Sequence, residues 1–338
     1  MIRFPSFRPA LAGFLSSAVM AAAQTPFQFP TANHALYDAG AELKFIAPTA
    51  PDRSWTTGSF GCVRTDGWQM HEGIDIVHLQ TNRHGEPTDP ILATADGTVM
   101  YVNPKGGDSN YGKYVVIRHL VDGLEIYSLY GHLSEIASGI VAGKSVKAGE
   151  TIATMGRTGQ TIAKDRAHLH FELNVLVNDN FPAWFKKNSS PYEHNDHGVW
   201  NGQNLDGLDP REILLAEHNP AKPFSLVNYL RSQTELCRVL VRATNFPYLK
   251  RYAALVLKNP KAEKEGIAGY EVAFNYNGVV FALMPRAASE IKGVGRVQLL
   301  SVNEAEYHAH PCRKLVVQHG SHWQLTDKGL READMLTY

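Results

Sequence analysis

The chain has 338 residues, 44% hydrophobic and 20% charged, with 33 basic and 33 acidic side chains. These are globular values, sufficient for one large or two ordinary domains, and they exclude global disorder. The charge balance also excludes a large nucleic-acid footprint and a polybasic membrane anchor.

Residues 1–23 read as a secretory signal peptide. Arg3 and Arg8 form a positive n-region, Pro9 to Met20 is apolar, and Ala21-Ala22-Ala23 offers an A-x-A cleavage site. The apolar run is too short to span a bilayer. No cysteine follows it closely, which disfavours lipid anchoring. The expected product is exported, periplasmic or secreted, with no stable membrane anchor after cleavage. Residues 24–54, rich in Pro, Ala and Thr, read as a lead-in with little regular structure.

From Gly58 to Val177 the pattern predicts an all-β unit. Ile91–Thr94 and Thr98–Val102 flank Ala95-Asp96-Gly97, a first hairpin. Tyr114–His119 and Leu124–Tyr130 flank Asp122-Gly123, a second. Val146 to Ala153 supplies a third turn between short strands. Residues 178–206 break the pattern with Asn, Asp, Ser, Gly and Pro, yet carry Phe181, Trp184, Phe185, Tyr192 and Trp200. So long a loop inside a domain is functional or disordered, and its aromatics favour an ordered flap packed on the β-unit. From about Ser225 an α+β module is predicted. Leu226–Val241 and Tyr248–Lys258 have helical periodicity, a type I′ hairpin is expected around Asn277-Gly278, and strands follow at 296–302, 312–317 and 322–325. Of three cysteines, Cys237 and Cys312 share the C-terminal third and are the expected disulfide pair. Cys62 is left as a small buried hydrophobe.

Two segments carry the chemistry: His71-Glu72-Gly73-Ile74-Asp75 and Ala167-His168-Leu169-His170-Phe171-Glu172. On a strand, His168 and His170 project to one side, able to share a metal or to place one on it and one beside it. His71 and Asp75, four apart, share a face, and Gly73 followed by Ile74, Ile76 and Val77 favours loop-into-strand over helix. Two imidazole nitrogens and one carboxylate oxygen suit Zn²⁺, one ion per chain, and three protein ligands leave a position for water. The helical H-E-x-x-H motif is absent.

Taken with what lies between them, these segments resemble the lysostaphin/LytM-type zinc metallo-endopeptidases, which cut bacterial peptidoglycan cross-bridges on a duplicated-hybrid-motif fold. The resemblance runs in order through Ser59-Phe60-Gly61 with Arg64, His71 to Ile76, Ala93 to Val99, Asn110 to Ile117 with His119, Tyr130-Gly131-His132-Leu133-Ser134, Val146 to Ile152 with Gly156, and His168 to Glu172. It implies a mainly β, antiparallel, barrel-like peptidase domain with a narrow groove over 55–215, the 178–206 insert included, and a smaller α+β C-terminal domain over 225–338. It implies that His71, Asp75 and His170 hold zinc, that His168 acts as general base and that His132 polarises or stabilises the developing oxyanion, while the sequence leaves open which of the two is the principal base. The partner it implies is peptidoglycan, through its stem peptides or cross-bridges. The sequence departs from the family in the long approach Thr158 to Ala167 and in the aromatic insert, both expected at the groove rim.

The other histidines read as structural or solvated. His78, His84 and His218 are isolated, His119 is a packed strand residue, and His194 and His197 with Asp196 belong to a solvated loop. His308-Ala309-His310 repeats the His-x-His spacing but lacks a His-x-x-x-Asp partner. Two rival readings stand beside the endopeptidase. One is a non-catalytic cell-wall-binding or hydrolase-activating protein on the same fold; the other is a zinc peptidase acting on other peptides.

Overall fold

A computed structural model describes residues 27–50, 52–159, 162–219 and 221–338; the expected signal peptide lies outside the described residues. The first part of the chain forms β1 (Gly61–Arg64), β2 (Gln69–His71), β3 (Ile74–Val77), β4 (Pro90–Leu92), β5 (Gly97–Asn103), β6 (Lys113–Val121), β7 (Leu124–Leu133), β8 (Glu135–Ile136), β9 (Ser145–Val146), β10 (Thr151–Thr154), β11 (His168–Leu176) and β12 (Leu205–Leu208). Its main antiparallel sheet runs β12-β11-β7-β6-β5-β9, with β3 also paired to β11. The sheet is open at both ends of this order, so the barrel-like expectation resolves to a mainly β, antiparallel fold without closure.

Both faces of this sheet are covered. Val115, Ile117, Ile126 and Tyr130 face the main core, while Tyr114, Val116, Tyr127 and Leu129 join a second cluster with Leu176 and Leu205, flanked by Trp200. Every residue of β11 is buried. It pairs with β3 at Asp75↔His170, with β7 at His170↔Gly131 and with β12 at Leu173↔Leu208. β11 is therefore the rail on which the two metal-site segments are registered.

The β6–β7 hairpin forms as expected: Asp122 and Gly123 take φ of 51° and 76°, the positive values a type I′ turn requires. The hairpin expected over 91–102 does not form. β4 pairs with β10, and β5 with β6 and β9. The backbone of 92–94 is claimed instead by Pro30, Gln28 and Glu150. The lead-in is accordingly no loose tail. It has one short helical turn, Glu42–Phe45, and one 3-10 turn, Ala35–Tyr37, but Phe27, Phe29, Phe45 and Ile46 are buried in the core.

The C-terminal part forms β13 (Cys237–Val241), β14 (Ile267–Phe274), β15 (Val280–Ala287) and β16 (Val297–Val302) in the order β15-β14-β13-β16, then a ribbon of β17 (Val316–His319) and β18 (His322–Leu325). The helix expected over 226–241 stops at Arg231. Residues 237–241 are a central strand, where β-branched Val239 and Val241 fill the core better than a helix would allow. The β14–β15 connection is not type I′, since only Gly278 has positive φ (100°). Asn275 Oδ1 accepts from Asn277 N and Val279 N in a five-residue loop.

The two parts share one core. The insert is ordered: its helix Phe181–Asn188 buries Phe181, Trp184 and Phe185, and the Trp184 indole donates to Asp334 of the final helix, Asp327–Leu336, at 2.8 Å. The disulfide joins Cys62 to Cys312, not Cys237 to Cys312 as the sequence suggested, and Cys237 is a free buried thiol. Nearness along the chain misled because Cys237 lies in the middle of a sheet, while Cys312 packs on the β1–β2 hairpin, its sulfur 3.8 Å from Met70 Sδ. Among the described residues no helix is long and apolar enough to cross a membrane.

Candidate metal centre and cleft

Antiparallel pairing of β3 with β11 places Asp75 opposite His170, and the β1–β2 hairpin carries His71 in from the side. His71 Nε2, His170 Nδ1 and Asp75 Oδ1 then lie 3.1–3.2 Å from one another. Zinc–ligand bonds of 2.0–2.1 Å in a tetrahedron put neighbouring ligand atoms about 3.3 Å apart. These three atoms have that spacing, and they form the one metal-capable cluster among the described residues.

Each imidazole is oriented as such a site needs. His71 Nδ1 donates to the Ser59 carbonyl at 2.7 Å, leaving Nε2 a lone pair. His170 Nε2 donates to Glu172 Oε1 at 2.7 Å, directing Nδ1 at the centre, and Glu172 Oε2 accepts from Asn174 Nδ2 at 2.8 Å. Partners of this kind orient ligand rings and raise their basicity. Arg64 Nη2 donates to Asp75 Oδ2 at 2.5 Å, so Asp75 offers Oδ1 alone to the centre; Arg64 Nη2 also contacts His71 Nε2 at 3.0 Å. A metal ion would replace that second contact.

Two further histidines border the cluster. His168 Nδ1 donates to the Arg166 carbonyl at 2.6 Å, and its Nε2 stands 3.4 Å from Asp75 Oδ1. His132 Nδ1 donates to the Thr158 carbonyl at 2.9 Å, and its ring centroid lies 5.0 Å from His168 and 5.7 Å from His170. His132 adopts φ of 60°, uncommon for a residue with a Cβ and held here by its N–H bond to Tyr111 O at 2.7 Å. Burial, with His168 and His170 nearby, pushes His132 down to about 3, and burial also lowers His168 against the pull of Asp75. Both present neutral nitrogens to the cleft. Burial opposes charge on His170, but its bonds to Asp75 and Glu172 raise it to about 10, so Nδ1 carries a proton towards Asp75 that a bound metal ion would replace. Burial likewise opposes charge on Asp75, which the surrounding imidazoles hold well below the usual carboxylate range.

All five residues singled out from sequence therefore meet in one cleft of about 540 Å³. The sequence reading did not give roles to Glu172, Tyr111 or Arg64. Glu172 was findable, being two residues beyond His170 on the same strand face. Arg64 was not, because the β1–β2 pairing that turns it inward is tertiary. The other histidines stay apart. His119 is buried between Asp96 O and Ser128 Oγ, His310 stacks on Tyr276, and His197 bonds Tyr101.

Residues 69–182 match the model of peptidase family M23. Among curated proteins, the DD-carboxypeptidase/endopeptidase Mpg of Neisseria meningitidis is 36% identical over 108 residues, 32% of this chain and 21% of that protein. The murein hydrolase activator NlpD of Escherichia coli is 36% identical over 103 residues, 30% of this chain and 22% of its own. A zinc-containing peptidase from Vibrio cholerae, of known structure, is 32% identical over 31% of this chain and 26% of that chain, with a TM-score of 0.24. The match thus spans about a fifth of the length of these curated relatives.

Proposed function

We propose, from the premise that residues 69–182 match peptidase family M23, that the chain is a zinc-dependent endopeptidase hydrolysing peptide cross-links of bacterial peptidoglycan. The observation that carries the reading is the set of three ligand atoms at tetrahedral spacing, each ligand held by a partner of its own. We assign residues 55–215 as the catalytic unit and 225–338 as an accessory unit packed against it. The Cys62–Cys312 bridge supports an oxidising compartment, hence export.

His71, Asp75 and His170 would hold the zinc, which supplies Lewis acidity, polarising a carbonyl and lowering the pKa of water to about 7. The protein's own groups divide the proton work. His168 Nε2, neutral and fixed through Nδ1, takes a proton from the attacking water and returns it to the leaving amine. His132 has spent its one hydrogen on Thr158 and burial keeps its Nε2 unprotonated, so it faces the attacking water as an acceptor rather than the oxyanion as a donor. Glu172 keeps His170 pointed at the centre, and Arg64 keeps Asp75 there.

The name of the Escherichia coli relative favours a second reading, a hydrolase activator without turnover. The filled ligand set weighs against it. Digestion of purified sacculi with zinc-loaded and chelator-treated protein, followed by mass spectrometry of the muropeptides, decides between them. Zinc-dependent release identifies the bond cut, whereas identical products from both samples would end the endopeptidase reading.

A further inference from the structure

Two arginines line the cleft, and their circumstances differ. Arg64 is committed to Asp75. Both leave Nε buried without a partner, but among the described residues no carboxylate pairs with the Arg166 guanidinium. A cleft-lining guanidinium with no anion of its own is open to one that arrives with a ligand.

The backbone fixes where that donor sits. Arg166 closes the 3-10 turn Lys164–Arg166, its N–H bonded to the Ala163 carbonyl at 3.0 Å, and its own carbonyl anchors His168. Along β11 this face runs His168 and His170 in the cleft and then Glu172, buried beyond them, so Arg166 lies off the His168 end. Past Glu172, the cleft continues beyond Glu72, Asn110 and Tyr111 into a second cavity of about 410 Å³ bordered by Asp108 and Asp196. One end is cationic and the other anionic.

We propose that Arg166 is a specificity-determining residue that receives a substrate carboxylate, carried by the residue that supplies the leaving amine. The inference rests on the endopeptidase reading for the position of the scissile bond. A guanidinium meets a carboxylate as a planar two-pronged donor, which fixes orientation as well as charge. The acidic far end repels the same carboxylate, so a peptide enters in one direction. Arg166 belongs to the Thr158–Ala167 approach, the segment in which this sequence departs from the lysostaphin-type pattern.

The test uses two synthetic peptides that differ only in having a carboxylate or a carboxamide on the residue after the scissile amide. The zinc-loaded full chain should prefer the carboxylate by about tenfold or more in kcat/KM, carried mainly by KM. Arg166→Gln should bring that ratio toward one with zinc content unchanged, and Arg166→Lys should retain part of it. Calorimetric binding of the same peptides to the full chain reads Arg166 without turnover. Equal binding of the two peptides, or equal weakening of both by Arg166→Gln, overturns the proposal. Discrimination in binding without any cleavage supports Arg166 and overturns the endopeptidase reading instead.

Discussion

Replacing Glu172 by glutamine isolates one charge at the centre. The carboxylate is fully buried and accepts two donors, His170 Nε2–H at 2.7 Å and Asn174 Nδ2–H at 2.8 Å. A glutamine has one acceptor, so one of the two contacts must reverse. Asn174 is able to reverse because its Oδ1 is buried without a partner. After an amide flip, it accepts from the new Gln NH₂ while His170 keeps its acceptor. Shape and tautomer survive, and the negative charge does not. With Asp75 and Glu172 both ionised and Arg64 paired to Asp75, a divalent cation would leave the site one positive charge; with Gln that rises to two. Loss of an outer partner to a metal-bound histidine lowers affinity by roughly 10–100-fold, which is about 1.4–2.7 kcal/mol. Competition of the Glu172→Gln protein against a zinc-chelating dye measures this, with the unfolding midpoint as a control for folding. A zinc affinity within twofold of the parent's would refute the reasoning, because the carboxylate would then be only a space-filling hydrogen-bond partner.

The histidines separate by a paired measurement. His170→Ala should lose bound zinc and activity together, whereas His168→Ala should keep zinc by metal analysis and lose turnover; equal zinc content and activity in the two variants would undo the assignment of roles. Gly73→Ala places a Cβ 2.3 Å from the Phe171 carbonyl oxygen and 2.8 Å from Glu172 Cγ, so β3 must shift from β11, at a cost of about 1–3 kcal/mol; an unaltered zinc titration and urea midpoint would contradict that close approach. Cys312→Ser opens a cross-link spanning 250 residues, worth about 5 kcal/mol in the chain-entropy model and about 2–5 kcal/mol for native bridges, so urea midpoints of parent and variant should differ until reductant is added. The carboxyl of Glu332 and Asp206, 3.4 Å from Arg313 Nη2, close around Gly278. Burial raises both acids, Asp206 to about 6. The folded state then binds protons more tightly than the unfolded chain, so this cluster's contribution to stability is present at low pH and is lost as pH rises from about 4 to about 6. Glu332→Gln should match the parent near pH 4 and exceed it at pH 7 in denaturant titrations; a parallel pH profile would show that the cluster does not titrate as described.

The candidate site was legible because its geometry is carried by local periodicity. His168, His170 and Glu172 share a face through strand alternation, and His71 and Asp75 flank a glycine that must lie against β11. Strand partners were less legible. Thr98–Val102 read correctly as extended and Ile91–Thr94 only as far as Leu92, but the backbone of the first segment is taken by residues 28 and 30 of the lead-in, and nothing local announces a partner sixty residues back. The stretch 226–241 failed for a related reason. Its apolar spacing suits a helix as far as Arg231, after which packing in the middle of a sheet outweighs propensity. The disulfide is the extreme case, since two sulfurs 250 residues apart meet only when the C-terminal part covers β1–β2.

That last meeting also sets an order of events during synthesis. Chains emerge from the N-terminus at roughly 5–20 residues per second, so Cys62 waits at least about ten seconds for Cys312. Cys237 emerges in between as a competing thiol. Once β13 has formed it leaves the contest: burial, with Glu235 beside it, pushes its pKa up to about 12, so it stays protonated and does not attack. The hairpin that presents His71 is thereby locked late and by the correct sulfur, and a product terminated before residue 312 never acquires the lock.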